Sequence, residues 1–254
     1  MLSAIVPADL FTLLLVFARI GSAMMLLPGF GEVYVSGRVR LLLALALAVV
    51  LTPVVGAALP PPPSGILGYA AVVVGEVLVG LFLGALTRMF LSALHVAGVI
   101  VAYQSSLANA TLFDPSTAQQ GSMTGAFLNA LGVFLIFTAD LHHLMIGALA
   151  DSYRVFLPAA PFPVGDFSDA AARALADSFA LAMRIAAPFI VVGVTFYLGL
   201  GLLARLMPQV QVFFIAMPLQ IILGLAVLAL TLSVGMTWFL TYFEAAMLAL
   251  VGRG

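Results

Sequence analysis

From Leu206 to Phe243 the sequence carries no charged residue. At a helical rise of about 1.5 Å per residue this run is roughly 57 Å long, nearly twice the ~30 Å hydrocarbon core of a bilayer. A helix that is apolar on every face needs apolar surroundings, either protein or lipid. Lipid is the solvent that fits the rest of the chain. Hydrophobic residues make up 64% of it and charged residues 7%, against about 25% charged in an ordinary soluble domain. The chain is therefore expected to be all-α: a polytopic membrane protein of long, kinked helical hairpins.

Other runs support this expectation. Leu10 to Leu27 is apolar apart from Arg19, and Pro28-Gly29 with Gly31 ends it. Leu41 to Leu59 is uncharged and stops at the four prolines 60–63, which cannot continue a helix. A third run begins near Ile66, contains Glu76 and Arg88, and extends to about Ala110. It is long enough for two crossings, or for one crossing and a helix that leaves the bilayer. A polar loop from Asn109 to Thr124 leads into the run Gly125 to Ala150. The strongly polar segment is Asp151 to Asp177. Within it Asp169, Arg173 and Asp177 fall four apart, a spacing that allows pairing along one face of a short helix. Phe179 to Ala204 follows, with Arg184 and Pro188 inside; Pro208 and Pro218 are natural bends in the last run.

Arginines collect on the cytoplasmic side of a membrane. Arg38, Arg40, Arg88, Arg205 and Arg253 are read as marking cytoplasmic ends, which places the N-terminus and the Asp151–Asp177 segment outside. The first apolar run has no basic residue before it and is expected to be a retained helix rather than a cleaved signal. Counting one crossing per apolar run would put Asp151–Asp177 inside. The conflict goes if one of the runs around Val72–Ala110 does not cross.

The sequence offers little to an enzyme. It has no cysteine, so thiolate chemistry, disulfides and thiolate zinc sites are excluded. It has no H-E-x-x-H motif, and without lysine it has no P-loop. Gly199-Leu200-Gly201-Leu202-Leu203-Ala204 matches a dinucleotide-binding pattern, but it lies in an apolar run with no strand before it. Net charge is −1, so no nucleic-acid partner is expected. Asp140, His142 and His143 form an acid–histidine cluster. It is read as a hydrated helix end in preference to a metal or proton-relay site, because adjacent histidines point about 100° apart and do not easily face one ligand. No catalytic residue, cofactor or metal is expected.

Ionisable residues inside apolar runs need partners. Glu76 and Arg88 lie a little over three turns apart at about 3.6 residues per turn, too far to touch. Arg19, Arg184 or water are the alternatives for partnering them, and a structural buried pair is favoured over a transporter's proton site. Gly80 and Gly84, and again Gly121 and Gly125, have the G-x-x-x-G spacing that lets helix backbones approach closely.

Several ordered stretches resemble one family. Phe17-Ala18-Arg19, Leu27-Pro28-Gly29-Phe30-Gly31, Arg38-Val39-Arg40 and Thr52-Pro53 resemble the start of the FliR family of flagellar type III export-gate subunits. Gly75-Glu76-Val77-Leu78-Val79-Gly80 with Gly84 and Arg88 is similar to its third helix. Phe113-Asp114-Pro115-Ser116 resembles its central loop, and the stretch from Leu200 through Arg205 and Pro208-Gln209 to Phe213 resembles its C-terminal hairpin turn. The chain departs from the family at Ser36-Gly37 and at Ala139-Asp140-Leu141-His142, which bears on local loop shape.

The resemblance implies a subunit that completes a helical ring with FliP and FliQ homologues in the bacterial inner membrane, at the flagellar basal body. FlhA and FlhB homologues, unfolded export substrates and lipid are its further implied partners. Residues 1–177 correspond to a FliP-like part and 178–254 to a FliQ-like hairpin. The central loop, about 110–121 with Leu112, Phe113, Asp114, Pro115 and Ser116 at its centre, is implied to plug the channel. Its residues fit that role or a plain polar interhelical loop: Pro115 stops a helix, Asp114 and Ser116 can stabilise a turn, and Leu112 and Phe113 offer an apolar stopper. An injectisome subunit of the same fold and, further off, a secondary transporter are the alternatives.

Overall fold

A computed structural model describes residues 8–56, 59–63, 65–109, 122–160, 163–207 and 212–250. Among the described residues there are seven α-helices and no strand: α1 Ala8–Met24, α2 Gly37–Val55, α3 Ile66–Gln104, α4 Met123–Thr138, α5 Leu141–Val155, α6 Val164–Leu206 and α7 Val212–Leu250. A 3-10 turn, Leu107–Asn109, follows α3. The central loop 110–121, together with Pro208 and Gln209, lies outside the described residues.

Local chemistry explains several boundaries. Asp9 sits in the first turn of α1, where a negative charge meets the positive end of the helix dipole. Ser36 caps α2, its hydroxyl accepting from the Val39 N–H at 3.4 Å. Arg40 ties down the loop before it by donating from Nη2 to the carbonyls of Glu32 and Val35, at 3.0 and 3.1 Å. Prolines 60–63 stay non-helical. Pro53, Pro188 and Pro218 by contrast sit inside α2, α6 and α7, each removing one N–H from a helix that continues past it.

Three segments differ from the sequence expectation. The long third run is one unbroken helix, α3, of 39 residues. The run Gly125 to Ala150 is two helices, α4 and α5, bent 78° at a short break. Asp140 at that break has φ 57°, a left-handed conformation that ends the helical path. The polar stretch before Phe179 is not a separate short helix; it is the first part of α6, 43 residues long. Asp166, Asp169, Arg173 and Asp177 are exposed while Phe167, Ala174 and Ser178 are buried, so the charges occupy one side of a continuous amphipathic helix. Arg173 Nε donates to the Asp169 carbonyl at 3.3 Å rather than to its carboxylate.

The chain forms two compact units. The first comprises residues 1–90, 136–175 and 243–254. Its core gathers Phe11, Leu15 and Ile20 of α1 with Val72, Leu83 and Leu86 of α3 and Met145 and Tyr153 of α5. Phe11 meets Tyr69 edge to face at 5.0 Å between ring centres, and Phe82 stacks on Phe167 at 3.7 Å. Gly80 and Gly84 face α1: a Cβ on Gly80 would collide with the Arg19 carbonyl and the Ser22 hydroxyl, and one on Gly84 with the Ala23 carbonyl. Missing side chains are what let α3 lie against the α1 backbone.

The second unit comprises residues 91–135 and 176–242. Leu94 and Ala97 of α3, Leu128 of α4, Ala182, Ile185 and Phe189 of α6 and Phe239 of α7 form its core. Gly125 lies against Gly98, again an approach that side chains would prevent. Ser178 and Tyr242 share a hydrogen bond of 3.0 Å.

Four helices, α2, α3, α6 and α7, are long and apolar enough to cross a membrane, and the bent pair α4–α5 makes five if it counts as one span. Within their apolar windows only 17% to 28% of residues are buried in the chain itself, so most of that apolar surface faces outward, the reverse of a water-soluble bundle. This is a polytopic membrane protein. At about 1.5 Å per residue α3, α6 and α7 are roughly 58–65 Å long. Helices of that length extend beyond a ~30 Å hydrocarbon core or lie steeply inclined in it.

Replacing Gly80 with valine should lower unfolding stability by about 1–3 kcal/mol, the range for overpacking a close contact. Gly147→Ala in α5, where an added Cβ meets nothing within 4 Å, should be neutral or slightly stabilising. Thermal unfolding in detergent, followed by intrinsic fluorescence, separates the two.

Candidate functional site

Arg19 is the largest fully buried side chain of the described residues, at 1% exposure. The sequence left three partners open for Glu76; the structure gives it Arg19. Arg19 Nε donates to Glu76 Oε2 at 2.6 Å and Nη2 to Oε1 at 3.0 Å, a bidentate pair between α1 and α3. Nη1 donates to the Ser152 hydroxyl at 3.1 Å and Nη2 also to the Phe156 carbonyl at 3.0 Å. The Ser152 hydroxyl in turn donates to the Leu149 carbonyl at 2.7 Å. The guanidinium carbon lies 3.9 Å from the centre of the Tyr153 ring, an arrangement worth about 2 kcal/mol when desolvated.

This geometry holds the charge in place rather than leaving it available. Both carboxylate oxygens of Glu76 accept from one arginine, so the pair is closed and no free base is presented. A cavity of about 380 Å³ opens beside it, bordered by Gly75, Val79, Phe156, Ala160 and Pro163. Sequence reasoning missed Ser152, Tyr153 and Phe156, because they fall in a segment that reads as polar and external. Their signal is faint: a serine and a tyrosine side by side in the last turns of an apolar run.

The other charges grouped with this pair behave differently. Arg88 and Arg184 are exposed on the chain, not buried. Burial of an arginine requires a carboxylate to offset the lost hydration, and Glu76 is already committed to Arg19. Arg38 is exposed in the first turn of α2, Arg205 is exposed in the last turn of α6, and Arg40 makes the loop contacts described above.

Two further polar groupings stand out. In the second unit Gln220 is 3% exposed and fully satisfied. Its Nε2 donates to the Gln104 carbonyl at 2.8 Å and the Tyr197 hydroxyl at 3.1 Å, and its Oε1 accepts from Ser106 at 2.7 Å. Ser106 has φ 58°. The network joins the end of α3 to α6 and α7, and a glutamine inside an uncharged run is the sequence sign of it. In the first unit the rings of His142 and His143 lie 4.1 Å apart. Adjacent Cβ atoms do diverge, but at the first turn of α5 two flexible side-chain torsions bring both rings to one side.

Residues 10–246 match the family described as Bacterial export proteins, family 1. The chain belongs to that family. Its relatives include the flagellar biosynthetic protein FliR of Caulobacter vibrioides, 41% identical over 231 residues that cover 91% of this chain and 92% of the relative. The FliR of Bacillus subtilis is 30% identical over 89% of this chain and 88% of its own length. The Yop proteins translocation protein T of Yersinia pestis is 29% identical over 57% of this chain and 56% of its own. The FliR resemblance read from the sequence is thereby established. This member of the bacterial export family is a membrane-embedded component of a type III export apparatus.

Removing one partner of the buried pair strands the other charge. Arg19→Met or Glu76→Gln alone should cost about 3–5 kcal/mol, whereas Arg19→Met combined with Glu76→Met should recover most of it. Unfolding of the three variants in detergent tests this; a double-variant loss as large as the two single losses added together would show that the pair is not coupled.

Proposed function

We propose that this protein is a core subunit of the flagellar protein-export gate, through which unfolded flagellar proteins cross the inner membrane at the basal body. The observation that carries the reading is coverage. Similarity to flagellar FliR runs at 41% identity along nine-tenths of both chains, while similarity to the Yersinia translocation protein spans little more than half of each. An injectisome role is the second reading, on the strength of that shorter match.

In this proposal the chain works inside an assembly with FliP and FliQ homologues, with FlhA and FlhB homologues beside it. The outward apolar surface of α2, α3, α6 and α7 supports such packing, since it needs cover from neighbouring helices or lipid. Residues 1–177 act as the FliP-like part and 178–254 as the FliQ-like hairpin, with the boundary inside α6. The loop 110–121, through Leu112, Phe113, Asp114, Pro115 and Ser116, closes the channel. Arg38, Arg40 and Arg205 anchor cytoplasmic ends, and Pro208-Gln209 form the hairpin turn. Arg19, Glu76, Gly80 and Gly84 hold α1 against α3 as the frame for these parts.

A strain lacking the gene should be non-motile and should secrete no flagellar filament protein; unimpaired swimming would exclude the flagellar role. The tagged protein should co-purify with FliP and FliQ homologues, identified by mass spectrometry, and should show no solute uptake alone in liposomes. Phe113→Ala in an assembled gate should raise small-ion leak through the closed pore. An unchanged leak would remove the plug role while leaving the subunit assignment intact.

A further inference from the structure

The corner between α4 and α5 brings three metal-binding side chains together. One donor atom from each of Asp140, His142 and His143 lies within 4.8 Å of the other two. His143 Nδ1 stands 3.8 Å from Asp140 Oδ1. We propose that these residues form a site for a divalent transition-metal ion of the zinc type, held by two imidazoles and one carboxylate.

Four features support the assignment. First, the donor set is nitrogen and oxygen in a protein without cysteine, which suits zinc or cobalt rather than calcium or magnesium. Second, His142 Nδ1 is shut away from solvent and has no hydrogen-bond partner, so the ring carries an unsatisfied nitrogen of the kind that a ligand satisfies. A half-turn of the ring about Cβ–Cγ exchanges Nδ1 and Cδ2 without moving the ring plane.

Third, the His142 ring is held in place. It stacks on Phe137 at 5.0 Å with 15° between planes, and Phe137 rests against Phe30 at 5.5 Å. Gly29 completes the support: its φ is +79° and a Cβ there would run into the Phe137 ring. Fourth, Asp140 stands where a helix cap belongs yet makes no side-chain cap hydrogen bond, so its carboxylate is committed to no backbone amide. Asp140 and His143 are exposed, with side chains 79% and 73% accessible, and are therefore free to close on an ion over the roughly 1 Å that coordination requires. Three protein ligands leave one tetrahedral position open to water. Bound there, the ion would bridge the left-handed residue at the bend to the first turn of α5 and fix the corner.

Cobalt(II) titration of the purified, chelator-stripped protein in detergent tests this, because tetrahedral cobalt absorbs visibly and octahedral aqueous cobalt hardly does. One equivalent should give visible bands that zinc then displaces, and zinc should raise the unfolding temperature. His143→Ala removes an exposed ligand, and His142→Phe keeps the stack on Phe137 while removing both nitrogens; each should abolish stoichiometric binding. His95→Ala, which changes the remaining histidine, should bind as the parent does. Binding that survives His142→Phe and His143→Ala, or absence of any visible band in the parent, would overturn the proposal. The readout is metal binding itself, so failure here leaves the export role untouched.

Discussion

Arg19 and Glu76 set the terms for the first unit. A charge this deep is tolerated only with a counter-charge and with its remaining hydrogen-bonding capacity filled. Meeting that demand fixes three pieces of chain at once: α1 supplies the guanidinium, α3 the carboxylate, and the end of α5 a hydroxyl, a carbonyl and an aromatic face. Between lipid-compatible helices there is little hydrophobic force to choose one register over another. The ion pair supplies that choice, because sliding α3 by one residue turns Glu76 away from Arg19. Gly80, one turn further along, allows the approach that the bidentate geometry needs.

The same economy of polar groups recurs in the second unit. Gln220 is to α7 what Arg19 is to α1: one buried polar side chain with a hydrogen-bond partner at each of its polar atoms, joining helices that otherwise meet through Leu, Ala and Phe. Neutral amides cost less to bury than ions, yet they specify a register in the same way. Uniformly apolar helices are thus held in unique relation by a few satisfied polar contacts. Tight glycine crossings supply the van der Waals contact.

Much of this was legible in the sequence, and what was not has identifiable causes. Uncharged runs longer than a bilayer is thick announced the membrane fold, and an acid and an arginine inside such runs announced a pair. Spacing excluded Arg88 but could not select Arg19 over Arg184 or water, because the partners lie 57 residues apart and the decision is tertiary. The continuity of α6 was hidden because a cluster of charges looks like a break, although the buried positions Phe167, Ala174 and Ser178 keep helical periodicity through it. The break at Asp140 was half legible: the polar cluster there reads as a helix end, but hydropathy does not give the 78° turn that the left-handed aspartate makes. The closeness of the two histidine rings was hidden because the direction of Cβ does not fix the direction of the ring. The order and spacing of the family-like stretches, finally, carried the assignment that no single motif held.

The separation of Arg19 from its partners along the chain has a consequence for synthesis. Ribosomes add about 5–20 residues per second, so Glu76 follows Arg19 into the nascent chain several seconds later. Ser152 and Phe156 lie 133 and 137 residues beyond Arg19 and arrive later still. During that interval the first helix carries an unmatched cation whose insertion is opposed by roughly 2.5–3.5 kcal/mol. Until the third helix emerges, only the apolar side chains of the opening segment itself offset that cost.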